Sequence, residues 1–344
     1  YWIGLGGPKL LLVVQAVVVA LGALPLYLLA RDALTSSGEI NDSDSLLPTS
    51  YSLLLIAFPL AYLLLPALEA AVMYDFHPLT LVATFLLFAF YFLEKDRLWF
   101  FGLFAVLAIA TKEDMGLTVA MLGLYAILAH RRWRLGGVTM LVGVVWFVLA
   151  VFVIQPQFNP VGGNIQANRY TWLGETPQEI IGTFLLRPGL VWEHVWQKAN
   201  LPGYLGGLLL PAAFLSLLSP LVWLPTLPSF AVNLLSDNPF TWRLEDFHYV
   251  APIAPFVLIA TVFGVQYLVK LANHRSQTLG RVILLVACSL LLVASLAYHY
   301  ARGFSPLARP FQPWPITDHQ RRAEDVFDQV SPAAAVFAQD NLNP

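Results

Sequence analysis

Three short clusters of charged and ring-bearing residues interrupt an otherwise apolar chain, and they are where its chemistry is to be sought. The first is Glu69 followed by Tyr74-Asp75-Phe76-His77-Pro78. Pro78 suits the first turn of a helix, which puts His77 near the N-cap. The helix start then faces an anion, with Asp75 and His77 beside it as a base or metal ligand. The plainer reading is that both residues cap a helix at headgroup depth. The second cluster is Lys112-Glu113-Asp114. Three adjacent residues cannot share one helical face, so they mark a turn. Lys112 complements a helix C-terminus and Asp114 can cap the next N-terminus, yet a cap needs one polar residue and this turn has three. The third cluster is Asp237-Asn238 with Arg243-Leu244-Glu245-Asp246-Phe247-His248-Tyr249. Arg243 offers its fork to a phosphate or carboxylate, whereas Glu245, Asp246 and His248 suit a cation or a sugar hydroxyl. A solvated loop is the alternative, since loops are where charges ordinarily collect.

The elements that must position these residues follow from composition. Hydrophobic residues make up 58% of the 344 and charged residues only 12%, against about 45 to 50% and about 25% in soluble domains. So few charges cannot cover so much apolar surface in water, and the bilayer is the expected solvent. The net charge of -2 gives no basic face for nucleic acid. The single Cys288 reads as a small buried hydrophobe.

A spanning helix needs about 20 apolar residues. Suitable runs cover 10–30, 51–68, 78–93, 135–154, 205–218, 221–235, 251–269 and 282–300. The stretch 98–129 is too long for one crossing, and the Lys112 cluster in it predicts a hairpin of two short helices. The expectation is an all-α polytopic membrane protein of about ten segments, some short or broken at Pro59, Pro66, Pro211, Pro220, Pro225 and Pro228. Lys95 and Arg97, then Arg131, Arg132 and Arg134, then Lys270, Arg275 and Arg281 mark three cytoplasmic loops. The loop 31–50 falls on the same side despite its acids. The three clusters, the segment 155–204 and the tail after Ala301 then lie outside. Within 155–204, Thr176-Pro177-Gln178-Glu179 is a helix-start signal. It opens two amphipathic helices with aromatic residues at headgroup depth. The units expected are a membrane domain over 1–301 and an extracytoplasmic tail over 302–344, with a helical pattern at 318–330 and a strand at 334–338.

No Walker, HExxH, GxSxG or paired CxxC motif is present, and no internal repeat. His194 and His299 read as interfacial or packing residues.

The segments from Ala23 to Arg31, Asp75-Phe76-His77-Pro78, Lys112-Glu113-Asp114, the His248-Tyr249 step and the tail from Ala335 to Leu342 resemble the prokaryotic polytopic proteins of domain of unknown function 2079. That family is similar to the C-type membrane glycosyltransferases, such as the protein O-mannosyltransferases. The resemblance implies a GT-C-like fold in the cytoplasmic membrane. It also implies transfer of a sugar from a polyprenyl-phosphate donor to an acceptor on the extracytoplasmic face. Asp75, His77, Glu113 and Asp114 become the catalytic candidates, and Lys112, Arg243, His248 and Tyr249 the substrate-binding ones, with a divalent cation as a possible cofactor and no metal ligands assigned. Family members begin with a further span and a large acidic outer loop, so the chain, starting at Tyr1, is expected to be missing that region and the end of its tail. The rival readings are a transporter or flippase, in which the same charges form an ion path, and a membrane anchor for an extracytoplasmic domain.

Overall fold

Long runs of Leu, Val, Ala and Phe without interior charge form helices, because in hydrocarbon each backbone N–H and C=O must find its partner within the protein. The computed structural model describes residues 8–35, 54–158 and 165–313, with Asp318, Arg322, Val326, Gln329 and Ser331 beyond them. Among the described residues the chain is helical and has no strand. The expected strand at 334–338 lies outside the described residues, as does most of 318–330.

Helices α1 (Pro8–Leu21) and α2 (Ala23–Thr35) make one crossing, Leu10–Leu34, with a break at Gly22. Pro25 removes an N–H just past that break. The nearby Val18 and Val19 carbonyls are capped from outside the helix: Thr84 Oγ1 donates to Val18 at 2.7 Å and Tyr62 Oη to Val19 at 2.8 Å. Helices α3 (Ala57–Leu63) and α4 (Pro66–Tyr74) meet at 42°, with Pro66 opening α4. A 3-10 turn, Pro78–Leu81, leads into α5 (Val82–Glu94).

The hairpin expected at 98–129 is present as α6 (Leu98–Ile109) and α7 (Met115–His130). At 12 and 16 residues these are about 18 and 24 Å long at 1.5 Å per residue, short of a layer about 30 Å thick. Helix α8 (Trp133–Val148) continues through a π-helical stretch, Leu149–Ile154, to Phe158. Helix α9 (Pro177–Leu186) starts where the sequence signal places it: Thr176 Oγ1 accepts from the Glu179 N–H, and Glu179 Oε2 accepts from the Glu175 N–H at 2.8 Å. The short α10 (Pro188–Glu193) follows, and Leu185, Leu186 and Trp192 are exposed along this pair, as is Trp196 in the π-helical turn after it.

The runs 205–218 and 221–235 do not form two continuous helices. They fold as α11 (Leu201–Leu209), 3-10 segments Leu215–Leu218 and Pro220–Thr226, and α12 (Leu227–Leu234). Prolines 211, 220, 225 and 228 deprive this stretch of four backbone donors, and Ala213 and Phe214 turn through positive φ. Helix α13 (Ala254–Asn273) is the most buried crossing and packs on α2, α3, α5 and α14 (Gln277–Arg302). Four helices are therefore long and apolar enough to cross a membrane, or five with the α3/α4 pair counted as one.

Two ends of the bundle are polar. At one, the ends of α2, α5 and α7 meet: Lys95 pairs with Asp32, His130 Nε2 lies 2.7 Å from Glu94, and Arg132 pairs with Asp96. Of the acids in 31–50, Asp32 therefore has two cationic partners, Lys95 and Arg31, while Glu39, Asp42 and Asp44 lie outside the described residues. The opposite ends of α4, α5 and α7 carry the candidate clusters.

Helices α7 and α8 approach through glycines. A Cβ on Gly116 would stand 2.5 Å from the Gly143 carbonyl, and one on Gly123 would stand 2.6 Å from that of Gly136. Gly123→Val is expected to destabilise the protein by roughly 1–3 kcal/mol through overpacking, read as a lower melting temperature in detergent. The exposed, open position Gly137 should tolerate alanine with little change.

Candidate functional site

The residue before a proline is pushed out of the helical region. His77, ahead of Pro78, is accordingly extended (φ -131, ψ 124) and caps the 3-10 turn through Nδ1, which accepts from the Leu79 N–H at 3.3 Å. The capping reading of His77 holds. Asp75 follows the end of α4 and makes no cap of this kind. What holds this extended segment is Gln15, fully buried in α1: Nε2 donates to the Asp75 carbonyl at 2.7 Å and to the Val72 carbonyl at 3.2 Å, while Oε1 accepts from the His77 N–H at 2.9 Å. The signal for Gln15 was an amide within an apolar run, where polar side chains tie helices together.

His248 lies over His77, ring centroids 3.5 Å apart and planes 14° from parallel. Asn233 places the adjoining segment by donating to the Tyr249 carbonyl at 3.0 Å. Lys112 Nζ stands 5.9 Å from the centre of the Tyr249 ring, and the Arg169 guanidinium 5.8 Å from it. Arg169 also donates to Tyr249 Oη at 3.1 Å. Four stretches far apart in sequence thus converge on one end of the bundle: 75–77, 112–114, 169–170 and 248–249.

Asp114 occupies the N-cap of α7, yet its side chain makes no capping bond. Its Oδ2 accepts from Lys112 Nζ at 3.0 Å in a largely buried ion pair. Its Oδ1 is buried with no hydrogen-bond partner among the described residues, as is His248 Nδ1. Buried polar atoms without partners are uncommon in folded proteins, and here two occur in one cluster. Tyr170 feels the same carboxylates: burial, then Asp114, pushes its hydroxyl up to about 12.

Arg169 and Tyr170 were not singled out from sequence. Asp237 N–H donates to the Arg169 carbonyl at 2.8 Å, and the Tyr170 hydroxyl and Trp172 indole donate to Val232 and Leu235. The segment is strapped down along its length, and Lys198 pairs with Asp237 farther on. The packing expectation for His194 agrees with its stack on Trp172 at 4.0 Å.

The third sequence cluster divides. His248 and Tyr249 join the site, while Arg243 is exposed and pairs with Asp246 at 3.5 Å. Glu245 is held by Arg302 and by the Tyr298 hydroxyl at 3.0 Å. Glu245, Asp246, Arg302 and Tyr74 line a neighbouring groove of about 690 Å³. The ring of Tyr74 packs edge-on to Phe247, next to His248, so groove and cluster share a wall. Among the described residues, no group of three or more His, Cys, Asp or Glu is arranged to hold a metal ion by itself.

Burial disfavours the charged form of both stacked imidazoles. The His77 pKa is lowered by desolvation, partly offset by Asp75. His248 is brought down to about 3 by desolvation, then by His77, Lys112 and Arg169. Desolvation raises the Asp75 carboxyl, with His77 opposing.

An all-helical protein with several apolar crossings and a cationic, carboxylate-bearing cluster at one end is a multi-pass membrane protein. The family described as Predicted membrane protein (DUF2079) matches residues 3–344, and the chain belongs to it. No curated protein and no solved structure matches the chain.

Two expectations follow. Gln15→Leu leaves the Asp75 carbonyl and His77 N–H unpaired and should cost about 1–3 kcal/mol, measured as a drop in detergent melting temperature. The histidine stack gives a pH dependence whose sign is fixed. Between about pH 6.5 and 3 the unfolded chain binds protons that the folded His248 refuses, so stability falls as pH falls through that window and is flat above it, with a limiting slope of about 1.4 kcal/mol per pH unit for one proton. Asp75 acts in the opposite sense near its own range. The comparison is therefore between wild type and His248→Phe, whose melting temperature should decline less on acidification.

Proposed function

We propose that the protein is a membrane glycosyltransferase of GT-C-like architecture, taking a sugar from a polyprenyl-phosphate donor to an extracytoplasmic acceptor. One observation carries this reading: Lys112 and Arg169 flank Tyr249 beside a buried Asp114 whose Oδ1 is unpaired among the described residues. Two cations suit a lipid phosphate, and a carboxylate next to them suits a general base. The site belongs outside because Lys95, Arg131 and Arg132 gather at the opposite end, where the positive-inside rule puts the cytoplasm. The membrane domain in this reading covers 1–301, with about ten membrane segments once the short and broken helices count as partial or re-entrant crossings, and 302–344 belongs to an outer tail.

In the transfer, Asp114 Oδ1 takes the proton of the acceptor hydroxyl as its oxygen bonds to the anomeric carbon. The bond from that carbon to the phosphate oxygen breaks, and the polyprenyl phosphate leaves to Lys112 and Arg169. Neutral His77 and His248 orient the phosphate without adding charge. Glu113 and Asp75 tune the local field. A divalent cation would find Asp114 and substrate phosphate oxygens as ligands rather than a cage of protein groups. Arg243 pairs with Asp246, which lines the neighbouring groove, a place for the acceptor.

Reconstituted full-length protein should turn over a radiolabelled polyprenyl-phosphate sugar, and Lys112→Ala or Asp114→Asn should each lower turnover by about 100-fold or more with membrane insertion unchanged. Turnover at the wild-type level in both variants sinks the site assignment. Gradient-dependent solute uptake into proteoliposomes without turnover would instead establish a transporter.

A further inference from the structure

At the groove side of the bundle, one group of side chains sharing no residue with the Lys112 site is arranged as nucleophile, base and orienting carboxylate. His299, in the last turn of α14 and 1% exposed, has Nε2 at 2.8 Å from Ser305 Oγ. Its Nδ1 lies 3.1 Å from the Leu64 carbonyl and 3.3 Å from Glu69 Oε2. A carbonyl only accepts, so Nδ1 carries the imidazole hydrogen and Nε2 turns its lone pair to the Ser305 hydroxyl. That is the tautomer a serine nucleophile needs, and a carboxylate beside Nδ1 stabilises the imidazolium formed when the serine gives up its proton.

The surroundings hold this geometry. Glu69 is anchored by the Phe304 N–H at 3.0 Å, and the Leu307 N–H donates to Ser305 Oγ at 3.2 Å. Gly303 passes so close to the ring that a Cβ there would stand 2.5 Å from Nδ1. Ser305 opens onto a cleft of about 210 Å³ between α1 and the α3/α4 pair, walled by Ala16, Val19, Leu68 and Val72, with Glu69 and Ser305 its polar lining residues among those described. An activated hydroxyl at the polar end of an apolar cleft, at the end of a helix long and apolar enough to cross a membrane, suits an amphipathic ester such as that of a lipid.

We infer that Ser305, His299 and Glu69 form a second site, a serine nucleophile for the acyl ester of a membrane lipid. Ser305 Oγ bonds to the ester carbonyl carbon as its proton passes to His299 Nε2. The bond from that carbon to the lipid alcohol oxygen breaks, and the alcohol leaves with the proton from Nε2. Water or an acceptor hydroxyl, deprotonated by the same nitrogen, then releases the acyl group from Ser305. Ser305 and His299 touch the reacting atoms; Glu69 is a positioning residue.

The test is covalent labelling of the full chain in detergent with a long-chain alkyl fluorophosphonate, the site being located by peptide mass spectrometry and a known serine hydrolase serving as probe control. Label on Ser305, absent from Ser305→Ala, is the expected result. Glu69→Gln keeps an acceptor for the Phe304 N–H but removes the charge, and should slow labelling about tenfold or more at an unchanged melting temperature. Radiolabelled diacyl phospholipid in vesicles should leave its acyl chain on Ser305 or release it as fatty acid. A folded protein in which Ser305 stays unlabelled while the control reacts, or in which label falls only on other serines, overturns the inference.

Discussion

Within a hydrocarbon layer a polar group has only other protein groups to bond with, and this constraint organises the molecule from the break in its first crossing outward. The carbonyls of Val18 and Val19, next to the Gly22 break, receive hydroxyls from α3 and α5. Four residues earlier, Gln15 spends its amide on the backbone around Asp75 and His77. The first crossing is thereby tied to the elements that carry the candidate site. Without that amide, the extended segment between α4 and Pro78 would lack its backbone partners, and the histidine stack would lose one wall.

The two polar ends differ in how their charges are handled. At the Asp32 end, each carboxylate has a cationic partner: Asp32 has Arg31 and Lys95, and Asp96 has Arg132. At the other end the balance is incomplete: Lys112 has Asp114, but Arg169 meets a tyrosine hydroxyl, and Asp114 Oδ1 meets nothing among the described residues. The two imidazoles stacked 3.5 Å apart lie at this same end, and burial lowers the pKa of both from the usual histidine value.

Local sequence signals suffice where one element decides the outcome. Pro78 made His77 extended, Thr176 capped α9, and Lys112-Glu113-Asp114 turned the hairpin. The third cluster divides in the fold: Glu245 and Asp246 line a groove, with Arg243 paired to Asp246, while His248 and Tyr249 meet the histidine and lysine. The segment 205–235 was apolar enough for two helices, but its four prolines act on backbone donors, which hydropathy does not count.

The amino-acid sequence by itself determined the solvent, the helical class and the residues with chemical potential, since composition and proline placement act over a few residues at a time. Tertiary packing decided which of those residues meet. Arg169 is 80 residues from the Tyr249 hydroxyl it binds, and Glu69 lies 230 positions before the imidazole it orients. His299 carries no local mark separating a packing histidine from a base. The difference lies in a carbonyl at residue 64 and a hydroxyl at residue 305, which only the folded chain brings to its two nitrogens.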